Sequence, residues 1–149
     1  MKSIKPLLMA FVAAVLVTGF FWWLLWLRLL GPFGYSLPEG MQYQQHSYQL
    51  FVYGTLRNRW LRWVIIGQDV AVTADGLPGF QKQGLTVVAN QAAVTSGLRL
   101  EVSARQLQRL DRYERLGQRY CRFKVSLLSG ESAWVYQRMT EETAACQLN

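Results

Sequence analysis

The sequence predicts an α+β domain, a curled or barrel-like sheet with a few helices, preceded by an N-terminal transmembrane helix. Three observations predict it. Short β-prone runs recur from Leu50 to Arg138, with turn signals between them. One helical stretch, Ser103 to Leu116, interrupts those runs. The run from Pro6 to Leu27, "PLLMAFVAAVLVTGFFWWLLWL", carries no charge.

At about 1.5 Å per residue, that run reaches across the roughly 30 Å hydrocarbon core of a bilayer. Trp22, Trp23 and Trp26 gather at its far end, as interfacial aromatics do, and Arg28 can snorkel to the headgroups. A cleaved signal peptide is the competing reading. The run exceeds the ~7–15 residues of a signal h-region, and the following "RLLGPFGYSLPEG" offers no convincing A-x-A site. An uncleaved signal-anchor helix is therefore expected over residues 6–30. Lys2 and Lys5 hold the tail of residues 1–5 in the cytoplasm by the positive-inside rule. The protein would then be single-pass, with its domain outside: an inner-membrane protein facing the periplasm in a Gram-negative cell. Residues 31–47 have the Gly, Pro and polar content of a linker. The 149 residues leave room for one domain, expected at 48–138, with a C-terminal tail at 139–149.

The domain opens with "YQLFVYGTLRNRW". Leu50 to Tyr53 read as a strand, and Gly54 breaks it. Glycine after a strand permits a tight turn and lets a ligand approach the backbone closely. Amides at Gly54, Thr55 and Leu56 could face a carboxylate or a developing oxyanion; an ordinary strand-ending turn is the plainer reading. Downstream, "WVIIG", "LTVVAN", "GLRLEV", "YCRFKVSLL" and "SAWVYQR" read as further strands, and "ADGLPGF" and "LSGES" as turns.

The helix has Ser103 as its cap, Gln106 completing a capping box, and Gly117 as a C-terminal stop. Leu107 and Leu110 mark its apolar stripe. Glu114 lies seven residues after the first and four after the second, so it falls on that stripe, opposite Arg105, Gln108, Arg109 and Arg112. Either Glu114 sits at a frayed end paired with Arg115 or Arg119, or it is a carboxyl group held in a cleft for proton transfer.

The net charge is +7; without Lys2, Lys5 and Arg28, 13 basic residues face 9 acidic ones. A basic surface beside a bilayer suits anionic headgroups or anionic substrates. Nucleic acid is not expected as a partner, since no helix-turn-helix or zinc pattern occurs. Cys121 and Cys146 are not spaced as a metal clip; they either form a disulfide or remain separate thiols. The sole histidine, His46, lies in the linker, which argues against Ser-His-Asp, Cys-His and poly-His metal chemistry.

"FVYGTLR", "SGLRLEVSARQLQRLDRYE", "YCRFKV" and "AWVYQ", in that order and spacing, resemble the gamma-glutamylcyclotransferase-like (AIG2-like) family over nearly all of Leu50 to Gln137. The resemblance implies a small mixed β-barrel flanked by helices. It implies that the loop of Tyr53, Gly54, Thr55 and Leu56 cradles a glutamyl group, that Glu114 is the catalytic acid/base, and that Tyr120 lines the pocket. The implied reaction closes a free-amine γ-glutamyl group to 5-oxoproline and needs no metal or organic cofactor. Two departures stand out. Arg115 occupies a position where the family often has glycine, and Val70 to Gln91, a segment expected to shape substrate choice, matches loosely. The alternative is a non-catalytic module of the same fold, binding a small ligand or a partner at the membrane.

Overall fold

The computed structural model describes residues 5–29 and 34–140, which form two compact units, Met1–Tyr35 and Ser36–Asn149. The first contains helix α1, Lys5–Leu29. Its stretch Leu8–Leu25, 18 residues with a mean hydropathy of 2.3, is long and apolar enough to cross a membrane.

The second unit runs β1 (Ser47–Val52), a 3-10 turn (Thr55–Arg57), α2 (Arg59–Ile66), β2 (Val72–Gln83), β3 (Thr86–Ser103), α3 (Ala104–Glu114), β4 (Tyr120–Ser126) and β5 (Ser132–Arg138). The five strands form one sheet in the order β2-β3-β1-β5-β4. All neighbours are antiparallel except β1 and β5, which run parallel. The sheet curls into a half-barrel, as the α+β reading expects. The turn between β4 and β5 reaches edge strand β2: Leu128 N–H donates to the Gly76 carbonyl at 2.9 Å, and the Ser129 hydroxyl to Asp75 at 2.6 Å. At the other end, Arg138 N–H donates to Thr86 Oγ1 and Gln137 Nε2 to the Val87 carbonyl.

Strand β1 is central, and its period of two divides the core. Tyr48, Leu50 and Val52 face the helices and meet Ile65, Ile66, Leu107 and Leu110. Phe51 and Tyr53 face the inside of the curl with Leu77, Val87, Ala133 and Val135. Gly97 on β3 makes this packing possible, because a Cβ there would overlap the Phe51 ring and the Val52 carbonyl.

Three local readings change. "WVIIG" is the end of α2 rather than a strand. Asn58 caps the helix by accepting from Trp60 and Leu61 N–H, and Gly67 ends it in the left-handed conformation at φ 85°. Capping at both ends outweighs the β-preference of Val64, Ile65 and Ile66. "ADGLPGF" lies inside β2, where the register shift between Pro78 and Phe80 accommodates the proline and lets the strand bend. "LTVVAN" and "GLRLEV" belong to one long strand, β3. Within the stretch read as a linker, Leu37, Met41 and Tyr43 pack against the core. Cys121 is disulfide-bonded, and the only other cysteine in the sequence, Cys146, lies outside the described residues.

Candidate active site

Helix α3 carries the acid singled out by the sequence. Its N-terminus has the expected capping box: Gln106 N–H donates to Ser103 Oγ at 3.4 Å, and Ser103 N–H donates to the Gln106 side chain at 2.6 Å. The C-terminus comes earlier than Gly117. The helix stops at Glu114 because Arg115 turns left-handed, with φ 52° and ψ 58°. Leu116 N–H then donates to the Asp111 carbonyl at 2.9 Å, and Leu116 is fully buried. Glu114 therefore occupies the last helical position, half-buried, immediately before a sharp reversal.

Burial pushes the Glu114 carboxyl up to about 7; Arg119 opposes the rise and Asp111 adds to it. No hydrogen bond or ion pair holds this carboxyl among the described residues. Its charge acts on the phenols of Tyr53, Tyr120 and Tyr136, whose pKa values are all raised, chiefly by burial. Glu114 thus shares one electrostatic environment with Tyr53, at the end of β1, and with Tyr120, at the start of β4.

The expected loop residues divide by role. The Tyr53 side chain is buried and committed: its hydroxyl donates to the Tyr136 carbonyl at 2.6 Å. The Leu56 side chain belongs to the core, which leaves only its backbone for a ligand. Thr55 is exposed. Gly54 precedes the 3-10 turn, whose first amides have no acceptor within it. A Cβ built on Gly54 meets no atom within 4 Å, so packing does not require glycine here. A side chain at position 54 would instead enter the open space above the loop. Tyr120 is half-buried, with its hydroxyl 3.5 Å from the Leu85 carbonyl.

A second set of residues went unread in the sequence. Asp111 is 0 % exposed and accepts from Arg122 Nη1 at 2.6 Å, from the Tyr43 hydroxyl at 2.6 Å and from the Tyr136 hydroxyl. Burial raises the Asp111 pKa while Arg122 and the phenol donors pull it down; an acceptor surrounded by donors fits the ionised form. Arg122 also lies over the Trp134 ring, 4.7 Å from its centroid. This network braces the helix turn that carries Glu114. The signal for Asp111 was present, since it lies four residues after Leu107 on the same stripe. Its partners come from β4, β5 and the segment before β1, and no local spacing announces them.

A cavity of about 410 Å³ lies elsewhere, lined by Gln42, Gln44, Gln45, Tyr48, Arg122 and Trp134. None of the expected site residues lines it. Among the described residues no cluster of His, Cys, Asp and Glu is arranged to hold a metal ion.

Comparison with known proteins follows the same outline. A family model described as "Gamma-glutamyl cyclotransferase, AIG2-like" matches residues 50–148. A search of curated proteins finds no match. Among solved structures, an Arabidopsis thaliana protein aligns with a TM-score of 0.57 at 21% identity, covering 70% of this chain and 74% of its own. An uncharacterized Homo sapiens protein aligns with a TM-score of 0.57 at 16% identity, covering 64% and 69%. A structure titled "Gamma-glutamyl cyclotransferase" aligns with a TM-score of 0.51 at 16% identity, covering 63% and 68%. At these identities the likeness to the solved structures is one of fold.

Proposed function

The chain belongs to the gamma-glutamyl cyclotransferase, AIG2-like family, and from that premise we propose that it is a membrane-anchored enzyme that cyclises a free-amine γ-glutamyl group to 5-oxoproline. One observation carries the reading: a half-buried Glu114 at the end of α3, its pKa lifted to about 7, whose charge is felt by Tyr53 and Tyr120. A carboxyl group titrating near neutrality can both accept and return a proton.

In the proposed reaction the substrate's α-ammonium gives a proton to Glu114 carboxylate. The freed amine attacks its own γ-carbonyl carbon, forming the lactam C–N bond. The carbonyl oxygen gains negative charge, which in this reading the backbone amides after Tyr53, at the start of the 3-10 turn, receive. The bond to the leaving nitrogen then breaks as Glu114 delivers that proton to it, and the second proton of the ring nitrogen passes to the released amine, which departs as its ammonium while the lactam N–H is left neutral. Nucleophile and electrophile share one molecule, so the protein's task is chiefly to hold the cyclising conformer. No step calls for a metal or an organic cofactor. Helix α1 is proposed as the anchor, with the N-terminus cytoplasmic and the domain on the other side.

The substrate must have a free α-amine, because an acylated amine is a poor nucleophile. The test compares a γ-glutamyl amine with its N-acetylated twin and measures 5-oxoproline. Release from the free amine alone is the expected result. Equal consumption of both would replace cyclotransfer with hydrolysis, and no consumption of either across a broad panel would favour the non-catalytic binding module.

A further inference from the structure

Among the described residues, helix α2 presents an unpartnered face. Trp60, Trp63 and Val64 fall at i, i+3 and i+4 and are 76%, 53% and 58% exposed, while Ile65 and Ile66 are buried. Large apolar side chains at helical spacing normally face a core; these face outward. Helix α3 packs beside α2, and Arg109 donates to the Ile66 carbonyl at the α2 C-terminus. The exposed side of α3 carries Arg105, Arg109 and Arg112, again at i, i+4 and i+7. Neither helix exposes an acid along these rows: α2 has none, and on α3 Asp111 is buried and Glu114 half-buried. Arg57, also exposed, precedes α2; Arg59 is exposed as well and pairs with Asp69 at 2.5 Å.

We propose that the α2–α3 face docks on the surface of an anionic phospholipid bilayer, with Trp60, Trp63 and Val64 entering the interface and the α3 arginines meeting the headgroups. A row of tryptophan and aliphatic side chains bordered by arginine is the composition of an interfacial amphipathic helix. Chain length supplies the occupant. Six residues, seven Cα-to-Cα steps, separate the end of α1 at Leu29 from the start of the domain at Ser36. Even fully extended they span at most about 25 Å. A domain tethered that closely to a spanning α1 meets headgroups at high effective concentration. This step rests on the proposed anchoring by α1. Its consequence is local: the Tyr53–Leu56 loop runs directly into α2, so docking sets the candidate site at the level of the headgroups.

The test uses the full chain in vesicles, with a spin label at Val64→Cys and power saturation by oxygen and by a water-soluble nickel chelate. Labels at Val15→Cys in α1 and Gln91→Cys on β3 are the references; both native positions are exposed. In phosphatidylglycerol-containing vesicles the label at 64 is expected to favour oxygen over nickel, while that at 91 favours nickel. Arg105→Gln with Arg112→Gln should lower the docked-to-free ratio roughly 25-fold, at about fivefold per charge; Trp60→Ser with Trp63→Ser should abolish docking. A label at 64 as open to nickel as the one at 91 would overturn the proposal. So would shielding at 64 that follows protein-to-lipid ratio and ignores lipid charge, which indicates a second copy of the chain. The label at 15 reports on the anchor independently, and turnover of a soluble γ-glutamyl amine reports on the enzyme, so each reading fails separately.

Discussion

Glu114→Gln removes one ionisable group and almost no volume, so it separates what the carboxyl costs the fold from what it does in the site. Burial lifts its pKa from 4.5 to about 7. The sign follows from which state binds the proton. Below about pH 4.5 the carboxyl is protonated in both states, and its burial costs little. Between 4.5 and 7 the unfolded chain ionises while the folded chain holds its proton, so rising pH favours unfolding. Above about pH 7 the cost is complete. At about 1.4 kcal/mol per pH unit, the interval limits it to about 3 kcal/mol. Partial exposure of Glu114 and the desolvation of the new amide reduce that, leaving a net gain for Gln of about 1–2 kcal/mol at pH 8. For a domain of this size that is a rise in melting temperature of about 5–15 °C at pH 8, closing toward zero near pH 4.5. Thermal melts of both proteins across pH in one detergent would read it. Turnover should move the other way, falling about 10²–10⁴-fold, and the wild-type rate should climb through about pH 7 as the carboxylate forms. A Gln variant less stable at pH 8, or a stability gap identical at pH 5 and pH 8, would refute the buried-acid argument whatever happened to activity.

Gly54→Ala adds a methyl group that meets nothing within 4 Å, so stability should stay within about 0.5 kcal/mol while kcat/KM falls roughly tenfold or more if ligand oxygen approaches these amides; unchanged kinetics would remove the loop from the site. Arg115→Gly relieves the left-handed φ of 52° and should stabilise the protein by about 1 kcal/mol in denaturant titration; a loss would show that the Arg115 side chain contributes more than its backbone costs. Asp111→Ala strands Arg122 in the core and should cost about 3–5 kcal/mol, against about 1 kcal/mol for Tyr43→Phe, which removes one donor; the same two melts order them.

Several elements were legible because one stretch of chain contains everything that specifies them. The uncharged Pro6–Leu27 run, the Ser103–Gln106 capping box and the apolar period through Leu107, Leu110 and Glu114 each rest on neighbours within a few turns. The strand before Gly54 and the hairpin at "LSGES" were readable for the same reason. The short apolar run "WVII" was ambiguous: four β-prone residues suit a strand or a buried helix turn equally. Asn58 and Gly67, at its two flanks, decide it as a helix.

By itself, the sequence determined that an apolar helix precedes an α+β domain, where α3 begins, and that Glu114 falls on the apolar stripe of α3. The tertiary structure decided the environment of that acid. Tyr53 after β1, Tyr120 on β4 and Tyr136 on β5 each feel the Glu114 charge, and burial raises all three phenols. Asp111 is buried because Tyr43, 68 residues before it, and Tyr136, 25 after it, bring donors to it along with Arg122. Periodicity says which face of a helix turns inward. What waits there depends on strands paired across the sheet, and a carboxyl group's pKa depends on those neighbours and on the water they exclude.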